Sequence, residues 1–315
     1  MTVTGVDAPG AARAFADPSK GYVPPWRRPR RKAYVMATIA WLYAAWSLLP
    51  VLIAVVYSFN DSRSRAVWQG FTTDWYCCGG EESVAAGASI TEDPQLLLAL
   101  QNSVTLALVT VLLAVPLGTA LALGTTRWQS RLANVSDGVS LFPLVTPELV
   151  LGSALYVVVI TLYSGIGLGK TALVLGHVTF SISYVLVIVR ARLSSIGAQY
   201  ETAGQDLGAT RLQAIRTVLL PMLIPAILAS GMITFAASLD DFIISSFLFG
   251  EAANLTVPVL LYSATRVAPT PALNALATLL LVGTLASLAV AYVVLRLRRR
   301  GSGGSALDEI AGIEM

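Results

Sequence analysis

Six long apolar runs constrain this 315-residue chain more than any other feature of its sequence. About 20 apolar residues in a helix span the ~30 Å hydrocarbon layer of a membrane. The chain is 55% hydrophobic and 12% charged, which is unlike a soluble domain of this length. We therefore predict an all-α integral membrane protein with six transmembrane helices. The runs cover residues 33–57, 96–123, 139–162, 172–189, 218–235 with an extension that could reach 249, and 275–295.

Basic residues give these helices a direction, because Lys and Arg are retained on the cytoplasmic side during insertion. The connections predicted to lie outside carry only four of the 21 Lys and Arg residues, namely Arg63, Arg65, Lys170 and Arg266. We expect both termini in the cytoplasm of a bacterial cell, and loop 58–95 outside its inner (plasma) membrane. Residues 1–32 then form a mobile basic tail, 33–297 the membrane domain and 298–315 a flexible tail. The basic cluster at 27–32 indicates topology or contact with anionic lipid rather than nucleic acid.

Residue patterns typical of enzymes are weak. Residues 164–171 resemble a phosphate-binding loop, but Ser164 replaces its first glycine and the segment lies on the predicted outer side, away from cytoplasmic ATP. His177 is the only histidine, which favours a structural role in the fourth helix over catalysis. Adjacent Cys77 and Cys78 cannot easily bridge each other and are expected to be plain thiols or to bond another subunit. We expect no enzymatic activity and no cofactor, so energy must come from a partner.

The cytoplasmic connection at 195–217 differs from an ordinary linker. It is rich in helix-forming residues, mixes polar and apolar positions, and is interrupted at Gly208 and ended before Pro221. This pattern predicts a short amphipathic helix parallel to the membrane, with one face turned to a cytoplasmic partner. A plain amphipathic linker fits the pattern equally well.

The same connection contains Glu-Thr-Ala-Gly-Gln-Asp-Leu-Gly at 201–208, followed after nine residues by Val-Leu-Leu-Pro at 218–221. These residues resemble the EAA signature of ABC importer permeases. The resemblance implies a type I (MetI-like) permease bundle with a cytoplasmic coupling helix that sits on a partner ATPase. It departs at the head of the motif, where the signature's Glu falls on Thr202 and the preceding Glu201 could supply the charge. The residues implied in coupling are Glu201, Thr202, Ala203, Gly204, Asp206, Gly208 and Pro221.

Further stretches narrow the resemblance. They include Leu-Pro-Met-Leu-Ile-Pro-Ala at 220–226, Ser-Leu-Asp-Asp-Phe-Ile-Ile-Ser-Ser-Phe at 238–247, Ser-Phe-Asn at 58–60 and Gln-Asn-Ser at 101–103. Over residues 34–297 the chain resembles the spermidine/putrescine permeases, specifically the second-encoded subunit of the heterodimer. That resemblance implies transport by alternating access with a second permease subunit, a cytoplasmic ATPase dimer that holds ATP and Mg, an extracytoplasmic polyamine-binding protein and membrane lipid.

Acidic residues within apolar runs are the natural partners of a cationic cargo. Glu148 falls at mid-depth of the third run, and Asp240 and Asp241 fall near the outer mouth of the fifth. Tyr156, Tyr163 and Phe235 could add cation–π contacts, or simply pack in the bundle. For the two aspartates, helix capping or a hydrogen bond between subunits is as compatible with the sequence as contact with cargo.

Three alternatives remain at this point. The importer could carry another small organic cation or solute. An ion-coupled secondary transporter would need its own energy coupling and often shows an internal repeat, which we do not find. A membrane enzyme would need a catalytic cluster that one histidine does not provide.

Overall fold

The computed structural model of the chain describes residues 31–62, 67–77, 89–127, 131–162, 165–265 and 271–302. In chain order its helices are α1 (Arg31–Tyr57), α2 (Pro94–Arg127), α3 (Arg131–Val145), α4 (Glu148–Leu162), α5 (Lys170–Ile196), α6 (Gln199–Asp206), α7 (Arg211–Ala214), α8 (Leu220–Asp240), α9 (Ile243–Leu248), α10 (Val257–Thr265) and α11 (Pro271–Ser302). A π-helical turn (Ile215–Leu219) joins α7 to α8, and a 3-10 turn (Ala252–Asn254) precedes α10. The chain divides after Ile53 into two compact units: the first includes most of α1, and the second contains all later elements.

Five helices of the described residues are long and apolar enough to cross a membrane, or six if a bent pair is counted as one span. This confirms the prediction of an all-helical membrane protein. Four predicted runs became single helices with boundaries extended by a few residues, namely α1, α2, α5 and α11.

The third apolar run, predicted as one span over 139–162, is broken into two helices. The helices α3 and α4 meet at an angle of 114°. The break lies at Pro147, which has no N–H to donate and pushes the residue before it out of helical geometry. The Pro147 carbonyl accepts from the N–H groups of Val150 and Leu151 at 2.9 and 3.0 Å and so begins α4.

The fifth run is also interrupted. Helix α8 ends at Asp240, the backbone of Asp241 is extended, and the short helix α9 resumes at Ile243. The predicted extension towards residue 249 therefore exists, but as a separate helix. Two glycines allow α9 to pack closely: a Cβ at Gly152 of α4 would lie 2.7 Å from the Phe247 ring, and one at Gly176 of α5 would lie 2.6 Å from Leu248.

Helices α2, α5 and α8 share an apolar core near the end of α5 that precedes α6. Its fully buried side chains include Val185 and Leu193 of α5 and Leu223 of α8. Gly118 of α2 lets the first two helices approach, because a Cβ there would lie 2.6 Å from the Cβ of Val185. Close backbone approach at small residues is a common way to pack membrane helices.

The outer loop after α1 is tied together by buried polar groups. Asn60 pairs with Phe71 in an isolated antiparallel bridge, and the Trp75 indole donates to the Asn60 carbonyl at 2.8 Å. The Asn60 amide also donates to the carbonyl of Val67 at 2.9 Å. Cys77 is exposed, whereas Cys78 lies outside the described residues, so the expectation for this pair stays a prediction.

Candidate coupling segment and translocation groove

The connection at 195–217 folds into two short helices on either side of Gly208. Helix α6 ends at Asp206, the chain turns at Gly208 with φ +90°, and α7 begins at Arg211. Thr210 forms a capping box with Gln213: the Thr210 hydroxyl accepts from the Gln213 N–H, and the Gln213 side chain accepts from the Thr210 N–H at 2.8 Å. Gly208, which interrupts the pattern in the sequence, adopts a left-handed conformation that ends α6.

A buried ion pair attaches this segment to the end of α2. The Arg127 Nε and the Glu201 Oε1 lie 2.6 Å apart, with side chains only 13% and 8% exposed. The contact is a close ion pair without the directionality of a hydrogen bond. Arg127 also donates to the Gly197 carbonyl at 3.0 Å, and its own carbonyl accepts from Arg211 at 2.7 Å. Arg127 therefore holds both ends of the segment, and we call these contacts the Arg127 clamp.

Glu201 is thus turned into this chain, while most of the other predicted coupling residues face outwards. Gly204 is half-buried beneath Ala214, whose Cβ would lie 3.5 Å from a Cβ at that glycine. The exposed members are Thr202, Ala203, Asp206, Gly208 and Pro221. No contact with an ATPase is present to test them, and their coupling role stays a prediction.

Two exposed leucines were missed by the sequence reasoning. Leu207 is 90% exposed and Leu212 is 75% exposed, on either side of the turn at Gly208. Their signal in the sequence was available: Leu207 stands between Asp206 and Gly208, and Leu212 stands between Arg211 and Gln213.

At the break between α8 and α9, Asp240 lines an open groove of about 580 Å³. Its walls come from α8, α10 and α11, with Tyr184 of α5 as a second polar group. Most of the lining is aliphatic, for example Leu261 and Leu281. Asp240 is the charged residue of that lining, which gives the groove a single acidic group in an apolar setting.

Asp241 faces the other way, into the bundle. Its carboxylate accepts from the Ser245 N–H at 2.9 Å and from the Ser245 hydroxyl at 3.1 Å, and so caps α9. The His177 Nε2 lies 3.3 Å from the same carboxylate oxygen, and both side chains are buried, 2% and 9% exposed. The structure therefore separates two adjacent acids that the sequence placed together, and it favours the capping alternative for Asp241.

The remaining pathway candidates do not line the groove. Glu148 is exposed at the first turn of α4 and lies near enough to Tyr184 to interact with it electrostatically. Tyr156 on α4 is 36% exposed, and Phe235 on α8 is half-buried. Tyr163 lies outside the described residues. The pathway roles of Glu148, Tyr156 and Phe235 stay predictions.

The comparisons with known proteins agree with this architecture. The model of the family described as "binding-protein-dependent transport system inner membrane component" matches residues 114–299. The chain is 32% identical over 274 residues to the spermidine/putrescine transport system permease protein PotC of Shigella flexneri, which covers 87% of this chain and 97% of that protein. It is 35% identical over 264 residues to the putrescine transport system permease protein PotI of Escherichia coli K12, covering 82% and 88%.

Solved structures give the fold independently. A chain of a bacterial ABC transporter involved in the import of the acidic polysaccharide alginate superposes with a TM-score of 0.65 at 18% identity, covering 85% of this chain and 96% of that one. A chain of a bacterial alginate ABC transporter in complex with an alginate pentasaccharide-bound periplasmic protein superposes with a TM-score of 0.61 at 18% identity. These similarities confirm the predicted permease fold, and together with the family match and the two relatives they show that this chain belongs to the family of inner membrane components of binding-protein-dependent transport systems.

Proposed function

We propose that this chain is one of two permease subunits of an ATP-driven importer that carries polyamines, such as spermidine or putrescine, into the cytoplasm by alternating access. The observation that carries the proposal is the cytoplasmic segment. The Arg127 clamp attaches it firmly to α2, while its outer side exposes Leu207 and Leu212. A push on that outer side would be transmitted to the membrane helices.

The exposed leucines support a partner at this surface. Covering a large aliphatic side chain removes it from water and is worth about 1.5–3 kcal/mol. Leu207 and Leu212 flank the turn, and the exposed Thr202 and Asp206 add polar groups on α6. A cytoplasmic ATPase dimer, which binds ATP and Mg, is the partner that this family membership suggests. This chain would contribute no nucleotide-binding residues.

The groove supports a cationic cargo. An acid within an apolar wall is costly unless a cation or a polar group accompanies it. Asp240 and the neighbouring Tyr184 offer a carboxylate and an aromatic ring to an ammonium group. The relatives PotC and PotI are named for spermidine and putrescine, which are cations of this kind. A second, similar permease would close the groove into a path.

The remaining features of the assembly are part of the same proposal. An extracytoplasmic polyamine-binding protein would deliver cargo to the outer face. The Lys and Arg distribution supports cytoplasmic termini, and the long apolar helices would lie in membrane lipid.

Reconstitution tests the proposal directly. The chain is purified with a partner permease and ATPase, placed in liposomes together with a polyamine-binding protein, and supplied with labelled putrescine or spermidine. We expect uptake that requires both ATP and the binding protein. Uptake by this chain alone, driven by an ion gradient, would establish a secondary transporter instead. Transport of another organic cation, without competition by polyamines, would show that the proposed cargo is wrong and that the proposed ATP-driven import is right.

A substitution in the turn tests the coupling role. Gly208 has φ +90°, which side chains other than glycine adopt only with strain. We expect Gly208→Arg to leave ATP hydrolysis measurable and to reduce cargo uptake per ATP about tenfold. Ser194→Arg is the matched control, because Ser194 is exposed at the cytoplasmic end of α5, outside the segment. Equal coupling in both variants would remove the turn from the mechanism.

A further inference from the structure

The geometry points to His177 as a positioning residue: it holds Asp241 inside the bundle as the cap of α9, and so leaves Asp240 as the carboxylate of the pair that meets a cationic cargo. This inference rests on the proposed function for its cargo, but the placement of the two carboxylates stands on contacts alone. His177 is 2% exposed and Asp240 is exposed at the groove, so the imidazole acts on cargo only through its neighbours.

The hydrogen bonds define how His177 is held. Its Nδ1 lies 2.9 Å from the Ser238 hydroxyl on α8, and its Nε2 lies 3.1 Å from the Ser245 hydroxyl on α9. Ser245 has one hydroxyl proton, which it donates to Asp241 at 3.1 Å. The Nε2 must therefore carry a proton of its own, directed at the Ser245 and Asp241 oxygens. With the imidazole neutral, this tautomer leaves Nδ1 as an acceptor, and Ser238 then donates to it.

These donors satisfy the Asp241 carboxylate within the protein. One oxygen receives the Ser245 N–H, the Ser245 hydroxyl and the imidazole, and the other lies 3.4 Å from the Ile244 N–H. A buried carboxylate with this many donors is stabilised as the anion without a cargo. Asp241 is not among the residues that line the groove, whereas Asp240 lines it and its side chain forms no hydrogen bond among the described residues.

His177 also connects three helices at the break. It projects from α5, contacts Ser238 in the last turn of α8, and contacts Ser245 in α9. Removing it would free the Asp241 carboxylate and loosen the angle between α8 and α9. The position of Asp240, the last residue of α8, depends on that angle.

Thiol labelling tests the placement without any cargo. In the purified complex with Cys77→Ser and Cys78→Ser, Asp240→Cys and Asp241→Cys are each exposed to a cationic, water-soluble thiosulfonate reagent. Buried thiols react slowly, so we expect position 240 to react at least about tenfold faster than position 241. Equal rates would overturn the inference. This result is decisive even if the wild-type complex carries no polyamine, in which case the proposed function fails separately.

Uptake measurements test the positioning role. We expect His177→Leu and Asp241→Asn to reduce uptake of putrescine and spermidine alike by about tenfold, and their combination to be no worse than the poorer single variant. Asp240→Asn should reduce uptake of trivalent spermidine more than that of divalent putrescine, because its contact with cargo is electrostatic. His177→Gln keeps a donor and should recover part of the uptake. The positioning role would be contradicted if the fold-reductions in uptake of His177→Leu and Asp241→Asn multiplied in the double variant. It would also be contradicted if His177→Leu alone changed the ratio of spermidine uptake to putrescine uptake.

Discussion

Two interruptions of the helical chain, the cytoplasmic segment and the α8–α9 break, each turn one acid inwards and leave its neighbour outside. In the cytoplasmic segment Glu201 pairs with Arg127 while Thr202 is exposed. At the break Asp241 meets His177 while Asp240 lines the groove. In both places the inward acid fixes a helix end, and the outward neighbour is left to meet a partner or a cargo.

The two inward acids are neutralised differently, and their surroundings explain why. The Arg127 clamp lies at the C-terminal end of α2, beside exposed residues of α6, and it is a pair of full charges. The Asp241 carboxylate lies among apolar helices, and its charge is spread over backbone N–H groups, a hydroxyl and an imidazole. Desolvating two full charges is expensive in an apolar interior, so a network of weaker donors is the less costly solution there.

The largest expected effect comes from breaking the ion pair on one side. Arg127→Ala leaves Glu201 buried without its counter-charge, and the loss of one partner of a buried pair costs about 3–5 kcal/mol of stability. We expect the midpoint of thermal denaturation of the purified chain to fall accordingly. Arg127→Leu combined with Glu201→Leu should recover most of the loss, because no charge is then left unpaired.

Arg192→Ala is the control for that prediction. Arg192 is an exposed basic residue on α5, and its guanidinium forms a long hydrogen bond of 3.4 Å to the Ser195 hydroxyl. Its loss should change stability by less than about 0.5 kcal/mol. If Arg127→Ala is as mild as Arg192→Ala, the clamp does not hold the segment.

A smaller effect is expected from the spread network. Ser238→Ala removes the donor to the His177 Nδ1 and leaves one buried acceptor unsatisfied, at a cost of about 1–2 kcal/mol. Ser230→Ala is the matched control on α8, because that buried hydroxyl donates only to the Ile227 carbonyl of its own helix, at 2.9 Å. We expect Ser238→Ala to lower the denaturation midpoint further than Ser230→Ala. The reverse order would mean that the imidazole does not depend on Ser238.

The sequence predicted the helices well and the breaks poorly, for a physical reason. Length and apolarity suffice to define a span because the bilayer has a fixed thickness. The inward turn of Glu201 depends on Arg127 at the end of another helix, and the cap formed by Asp241 depends on His177 in a helix well upstream. Such pairings between distant positions leave no local pattern. The break at Pro147 did leave one, the proline itself, but a proline within a span does not by itself fix the angle because membrane bundles tolerate prolines.

The outward neighbour in the cytoplasmic segment gives the smallest effect on stability and the sharpest test of the comparison. Thr202→Glu places an acid at the exposed position where the EAA signature has one, near the N-terminus of α6, where the helix dipole favours it slightly. We expect a stability change below about 0.5 kcal/mol and a severalfold change in ATP hydrolysis stimulated by the loaded binding protein. Thr202→Gln, similar in size and uncharged, should leave hydrolysis near wild type. Identical hydrolysis in the two variants would show that charge at position 202 meets no partner. Position 202 would then have no function in coupling, because Glu201 already forms the inward contact with Arg127. In that case only the α8–α9 break would assign one of two adjacent residues, Asp241, to structure and the other, Asp240, to transport.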